Sequence, residues 1–316
     1  MATVPKKVAI VGAGYVGSTL AYALTIAGVP EELVLVDPRR ETAEGHAMDL
    51  THGMPFVRPL RVYAGEMSDL SRAEVIVICA GVGQKPGESR MDLVERNAGL
   101  FRDLVPDIVG QNNEAILLVV TNPVDVLTYL TLKYSGLPKE RVFGSGTALD
   151  SARFRYLLGQ YLQVDPRSVH AQILGEHGDT EVPIWSTANI AGVPVAEFCK
   201  MTGREYDAEA MSNIFEQVRN AAYQLIERKG VSNFAIGLAL TRVIESVVHD
   251  EQRAVPLSTL VDDYYGVSDV CFSLPCIVGK TGISHVLLPH LSAEEVAGLR
   301  QSAELIKGVI RRVTGA

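Results

Sequence analysis

Gly12-Ala-Gly14-Tyr-Val-Gly17 follows the apolar run Lys7–Val11 directly and opens a helical stretch over Val16–Ala27. Few sequence features restrict a fold as tightly. The first glycine permits a tight turn, the second lets a pyrophosphate approach the backbone, and the third allows a helix to pack closely on a strand. The helix N-terminus then presents unpaired N–H groups and a partial positive charge to phosphates. Glycine-rich turns also arise for structural reasons, so the next signal matters. Asp37 ends the following apolar run, 20 residues after Gly17. A carboxylate there hydrogen-bonds both hydroxyls of an adenosine ribose and repels a 2′-phosphate. The combination predicts a dinucleotide site with NAD favoured over NADP. Arg39 and Arg40 are the residues that would meet a 2′-phosphate, and they read more simply as a solvated turn after Asp37-Pro38.

Leu33–Val36, Val75–Ala80 and Ala115–Val120 are, like Lys7–Val11, apolar along nearly their whole length. Such runs suit strands buried on both faces of a parallel sheet covered by helices. Leu60–Tyr63 and Arg141–Phe143 are weaker strand candidates, and Met91–Val109 is helical in pattern. The alternation predicts an α/β fold, a Rossmann-like doubly wound parallel sheet over residues 1–146. The rest, 147–316, reads as an α+β catalytic domain, with the change near Ser145–Asp150. It carries a strand over Ser168–Leu174 and helices over Ala208–Arg228 and Asn233–His249. Strands around Ala254–Val261, Val270–Val278 and Ile283–Leu288 follow. A last helix opens at the capping box Ser292-Ala-Glu-Glu295 and runs to about Val313.

Gly175-Glu176-His177-Gly178-Asp179 becomes chemically readable beside Asp150-Ser-Ala-Arg153. Histidine is the side chain best suited to proton exchange near neutral pH, and a carboxylate such as Asp150 fixes its tautomer. Arg153, three residues after Asp150, faces the same way on a helix. Its guanidinium suits a substrate carboxylate through two parallel hydrogen bonds. Base, orienter and clamp are what oxidation of a 2-hydroxy acid requires. The net charge of −8 argues against a general nucleic-acid surface. No secretory signal or membrane-spanning run is evident in the sequence. Cys79, Cys199, Cys271 and Cys276 form no metal-binding or CxxC pattern, and Cys79 reads as a small buried hydrophobe. The expected setting is a reducing cytoplasm. The seven histidines make no metal-ligand pair, so no metal is expected.

Gly81-Val-Gly-Gln84-Lys-Pro-Gly-Glu-Ser-Arg90 follows the fourth strand at the carboxyl edge, where doubly wound folds bind ligands. Its glycines suit a closing loop that expels water and delivers Arg90. With Val11-Gly-Ala-Gly-Tyr-Val-Gly17, Thr121-Asn-Pro-Val-Asp125, Gly144-Ser-Gly-Thr-Ala-Leu-Asp150, Ala152-Arg-Phe-Arg155 and Gly175-Glu-His-Gly-Asp179, six motifs stand in order. Over nearly its whole length the chain resembles the bacterial-type L-lactate dehydrogenases of the lactate/malate dehydrogenase superfamily. The resemblance implies reversible hydride transfer between L-lactate and NAD, the last step of anaerobic glycolysis. By it His177 is the proton acceptor, Asp150 its partner, Arg153 the carboxylate clamp and Arg90 a mobile arginine. Substrate contacts also fall to Gln84, Asn122 and Ser232. Ser232 stands where the family usually carries threonine. Met67 stands where many relatives have an aromatic residue near the adenine pocket. Cofactor contacts fall to Gly12, Gly14, Val16, Gly17, Asp37, Gly81, Val82, Thr121, Asn122 and Ser145.

Malate dehydrogenase is the nearest rival, with the same machinery. Its members typically place arginine at the Gln84 position to receive a second carboxylate. A neutral Gln84 leaves oxaloacetate with an uncompensated charge under a closing lid, which costs several kcal/mol. Lactate and pyruvate are favoured, and other short apolar 2-oxo acids fit too. A non-catalytic nucleotide sensor is the rival of another class, but such proteins usually lose a catalytic side chain, and all four are present. The resemblance further implies a homotetramer, a dimer of dimers. Arg155 and His170 match the pair that binds fructose 1,6-bisphosphate in allosteric relatives. Arg155 points about 160° from Arg153 on a helix, and an unbroken strand would set His170 opposite His177.

Overall fold

A computed structural model describes residues 6–83 and 90–315. β1 (Lys7–Val11) leads through the glycine turn into α1 (Tyr15–Ala27), which a left-handed Gly28 closes. β2 (Glu32–Val36), α2 (Arg40–His52), β3 (Arg61–Ala64) and β4 (Val75–Ile78) follow. Then come α3 (Arg90–Gln111), β5 (Ile116–Val119), α4 (Val124–Ser135) and β6 (Val142–Gly144). These strands pair in parallel in the order β3-β2-β1-β4-β5-β6, a doubly wound sheet. Along β1, Ala9 and Val11 enter one hydrophobic cluster while Val8 and Ile10 enter another, and β4 and β5 divide likewise. Both faces are therefore buried, which is why these strands read as continuous apolar runs. Burying one such Val, Leu or Ile fully contributes about 1.5–3 kcal/mol.

The second half begins with α5 (Ala148–Leu162). Short strands follow, β7 (Val169–His170), β8 (Ile173–Leu174), β9 (Val182–Pro183), β10 (Asn189–Ile190) and β11 (Val193–Pro194). Next are α6 (Val195–Met201), α7 (Ala208–Lys229), α8 (Phe234–Val248), β12 (Arg253–Val261), β13 (Val270–Gly279), β14 (Gly282–Val286) and α9 (Ala293–Thr314). The single strand expected over Ser168–Leu174 is two. β7 pairs with β10 and β8 with β9, in different sheets, so the chain must bend at Ala171-Gln172 to serve both partners. No unbroken register joins His170 to His177. The capping box of α9 forms as expected: Ser292 Oγ accepts from Glu295 N–H at 3.2 Å, and Glu295 Oε2 accepts from Ser292 N–H at 2.8 Å.

One pairing shapes the whole molecule. β12 lies antiparallel beside β6 through Ser258 and Gly144, and β13 and β14 extend the same sheet. Among the described residues, no helix is long and apolar enough to cross a membrane. The four cysteines are free, and Cys79 is half-buried rather than fully so, packing at the margin of a core cluster.

Candidate active site

The β1–α1 turn has the tightness its glycines suggest. Gly12 has φ +102°, and a Cβ there would meet the Ala80 nitrogen at 2.5 Å. A Cβ on Gly17 would lie 2.0 Å from the Gly12 carbonyl oxygen. Gly14 is different: it is exposed, and among the described residues nothing lies within 4 Å of its Cβ position. Asp37 Oδ2 accepts from Ala13 N–H at 2.8 Å, which fixes the acid beside the turn. Arg39 leans on Asp37 at 3.4 Å, and Arg40 is tied to Glu44 and Glu66 at 2.8 and 2.7 Å. These acids leave little free positive charge for a 2′-phosphate. The cradle thus fits a dinucleotide with a bare ribose.

The other expected cofactor positions gather at the same sheet edge. Thr121 Oγ1 donates to the Ala80 carbonyl at 2.7 Å, and Thr121 Cγ2 occupies the space a Gly81 side chain would need. Val82 N–H donates to Asn97 Oδ1 at 2.9 Å, and Asn97 in turn donates to the Asn122 carbonyl at 3.1 Å. Ser145 N–H donates to Val119 O at 2.8 Å, Val16 sits in the first turn of α1, and Met67 packs half-buried against a core cluster. Asn122 is exposed at the start of α4. Gln84 lies outside the described residues, as does the side chain of Arg90, which opens α3.

On α5, Asp150 and Arg153 do share a face. Arg153 Nη1 donates to Asp150 Oδ1 at 2.8 Å, and His177 Nδ1–H donates to Asp150 Oδ2 at 2.6 Å. One carboxylate therefore orients both the ring and the guanidinium, and leaves His177 Nε2 as the nitrogen free for proton exchange. Ser232 Oγ lies 3.5 Å from Arg153 Nη2. Arg155 and His170 do not join this cluster. They line a separate cavity of about 1140 Å³ with Arg242 and Arg253.

The histidine loop is stitched down on several sides. Gly175, at φ +85°, exchanges backbone hydrogen bonds with Ser273 of β13 at 3.1 and 2.9 Å. His177 N–H donates to Asp125 Oδ2, on the first turn of α4, at 2.7 Å. α5 is anchored by Thr147 N–H to Ser273 Oγ and by Ile173 N–H to Ser151 Oγ, each 2.9 Å. Burial opposes the charge on His177, but the Asp150 carboxylate outweighs it and the imidazole is pushed up to about 9. Burial works against Asp150 too, yet His177 and Arg153 hold its carboxyl below the usual range. Burial raises Asp125 to about 7, and burial with the Asp150 charge raises Glu181 to about 9.

Asp125 and Glu181 were not singled out in the sequence. Asp125 closes the Thr121–Asp125 motif, and its signal is an acid entering the apolar run of α4. Glu181 gave no comparable sign, because an acid after Gly-Asp-Thr reads as solvated loop.

A dinucleotide cradle at the edge of a doubly wound sheet, in one chain with a histidine held by a buried carboxylate, is an arrangement suited to an NAD-dependent oxidoreductase. The comparisons with known proteins agree. The family model described as lactate/malate dehydrogenase, NAD binding domain, matches residues 6–144. That for the alpha/beta C-terminal domain of the same enzymes matches residues 147–315. The L-lactate dehydrogenase of Thermoanaerobacter pseudethanolicus is 48% identical over 308 residues, covering 98% of this chain and 99% of that one. That of Acetivibrio thermocellus is 49% identical over 306 residues, covering 97% and 96%. Among solved structures, a lactate dehydrogenase from a Medee basin deep-sea metagenome library superposes with a TM-score of 0.96 at 41% identity, over 99% of this chain and 100% of that one. The minor L-lactate dehydrogenase of Enterococcus mundtii gives 0.94 at 40% identity, over 98% of each chain. The chain belongs to the lactate/malate dehydrogenase family and binds NAD.

Proposed function

We propose that the protein is an L-lactate dehydrogenase, interconverting L-lactate and pyruvate with NAD. The observation that carries this reading is the shared carboxylate of Asp150, which holds His177 and Arg153 together. Bound NAD supplies the hydride acceptor, and in reverse its reduced form supplies the hydride. Arg153 grips the substrate carboxylate, and Ser232 and Asn122 bound the space beside it. His177 Nε2 takes the hydroxyl proton in oxidation and returns it to the carbonyl oxygen in reduction. Asp150 stabilises the imidazolium without itself taking the proton, because the two cations beside it outweigh the effect of burial. Arg90 stabilises charge developing on the substrate oxygen once water is excluded. Gly12, Gly14, Val16, Gly17, Asp37, Gly81, Val82, Thr121 and Ser145 hold the cofactor.

Initial rates with pyruvate and oxaloacetate, each with NADH and NADPH, test substrate and cofactor together. Pyruvate with NADH should be fastest, and a preference for oxaloacetate would sink the lactate reading. Gln84→Arg should invert that preference, because the new cation pairs with the extra carboxylate. The contrast should reach a few kcal/mol if the pair is desolvated. An unchanged ratio of kcat/KM values would remove Gln84 from the substrate pocket.

A regulatory site is part of the proposal. Arg155 and His170 line one cavity, burial lowers the basicity of Arg155, and among the described residues Arg155 has no carboxylate partner. A sugar bisphosphate suits such a site, and we assign it to fructose 1,6-bisphosphate bound across a dimer interface of a homotetramer. The effector works only through differential affinity for two quaternary states. It should lower the apparent KM for pyruvate, and Arg155→Gln should lose this activation while keeping basal turnover. Identical saturation curves with and without the effector, at dilute enzyme and mildly acidic pH, would exclude the site. Four free cysteines accord with action in a reducing cytoplasm.

A further inference from the structure

Glu181 lies four residues beyond His177 and is only 7% exposed. Among the described residues, its Oε1 has no hydrogen-bond partner. One carboxyl oxygen of Glu181, one of Asp150 and a ring nitrogen of His177 lie within 4.8 Å of one another. Two buried carboxylates that close do not both ionise readily. Asp150 holds the charge, because it accepts directly from Arg153 and His177. Glu181 has neither bond. The charged groups facing it are Asp150 and Arg153 from α5, His177 on its own loop and Arg219 from α7. Asp125 of α4 acts on His177 from beyond. Arg219 is itself engaged with Glu216 at 2.7 Å. An ionised Glu181 therefore has no direct counter-ion among the described residues.

We propose that Glu181 is a second proton-carrying group of the site, a neutral carboxylic acid that must keep its proton for the substrate anion to bind. The inference rests on the 2-oxo acid reading above and deepens it. With His177 and Arg153 positive, Asp150 negative and Glu181 neutral, this cluster carries one net positive charge, matched to one substrate carboxylate. Ionising Glu181 cancels that charge and sets a second anion near the incoming one. A substrate anion that favours the protonated form raises the Glu181 pKa on binding. Between the free and bound values, binding then takes up a proton. His177 takes up another by the same linkage, since the carbonyl oxygen needs its N–H.

The test is calorimetry of oxamate, a non-reducible isostere of pyruvate, binding to the enzyme–NADH complex in buffers of different ionisation enthalpy. From about pH 7 to about pH 10, proton uptake in the native protein should climb from near zero toward about two. Glu181→Gln should reach only about one. Uptake that levels at one proton in both proteins would overturn the proposal. A second measurement needs no substitution. Burial raises the Glu181 carboxyl, whereas hydrogen bonds and neighbouring cations hold Glu32 and Glu251, and hydrogen bonds hold Glu295, below the usual carboxylate range. In protein labelled with ¹³C-glutamate, an isotope-shifted infrared band of a protonated carboxyl should be present at neutral pH and vanish on alkaline titration. Its absence at neutral pH would equally overturn the proposal. Failure of oxamate to bind at neutral pH would instead refute the 2-oxo acid reading, with the infrared band still deciding the state of Glu181.

Discussion

Replacing His177 with Asn should depress pyruvate reduction by on the order of 10²- to 10⁴-fold while leaving NADH affinity near that of the native protein. Asn keeps a hydrogen-bonding head near Asp150 but cannot deliver a proton. The cofactor cradle at Gly12–Gly17 belongs to the turn between β1 and α1, and no hydrogen bond recorded there involves His177. The native pH profile supplies a companion observation. With the imidazole pushed up to about 9, the protonated form needed for reduction persists below that pH and is lost above it. Lactate oxidation, which needs the neutral ring, should rise as pH increases toward the same value. Stopped-flow rates and NADH fluorescence titration read the two effects separately. Turnover close to native in His177→Asn would remove the histidine from proton transfer.

Arg153→Gln should cut kcat/KM for pyruvate by roughly 30- to several thousand-fold, the equivalent of about 2–5 kcal/mol for losing one partner of a desolvated, hydrogen-bonded charge pair. Two losses combine. The substrate carboxylate forfeits its clamp, and Asp150, 3% exposed at its side chain, forfeits the guanidinium at 2.8 Å. Arg153→Lys separates them, because it restores a charge without the planar fork. Its kcat/KM should fall between those of the native protein and Arg153→Gln. Full recovery by lysine would show that a point charge suffices and that the two-point grip plays no part. Thermal melting of both variants reports any loss of fold.

The sheet was legible because its strands are buried on both faces and its first turn is forced by glycine. α4 was not. Val124 through Thr131 are buried without interruption, so the helix shows no polar stripe, and Asn122-Pro123 drew attention to the turn instead. The segment Ser168–Leu174 carries the right residues for a strand, but where it bends is decided by partners β9 and β10, which follow it in the chain. His177, Asp150 and Arg153 were legible through spacing and chemistry together. Glu181 was not, since an isolated acid in a loop gives no sign that folding will bury it beside another carboxylate.

The single pairing of Ser258 with Gly144 gives the two halves of the chain a common backbone seam. A Cβ at Gly144 would lie 2.3 Å from Thr128 Oγ1 and 3.0 Å from the Ser258 side chain, so only the smallest residue lets α4 and β12 close on that strand together. Severing the chain after β6 would strip this strand of its neighbour and leave its backbone N–H and C=O groups as an adhesive border for other molecules. The nucleotide-binding half is therefore not a detachable cassette. Its last strand is finished by residues more than a hundred positions further along, and cofactor grip and substrate chemistry are inherited as one piece.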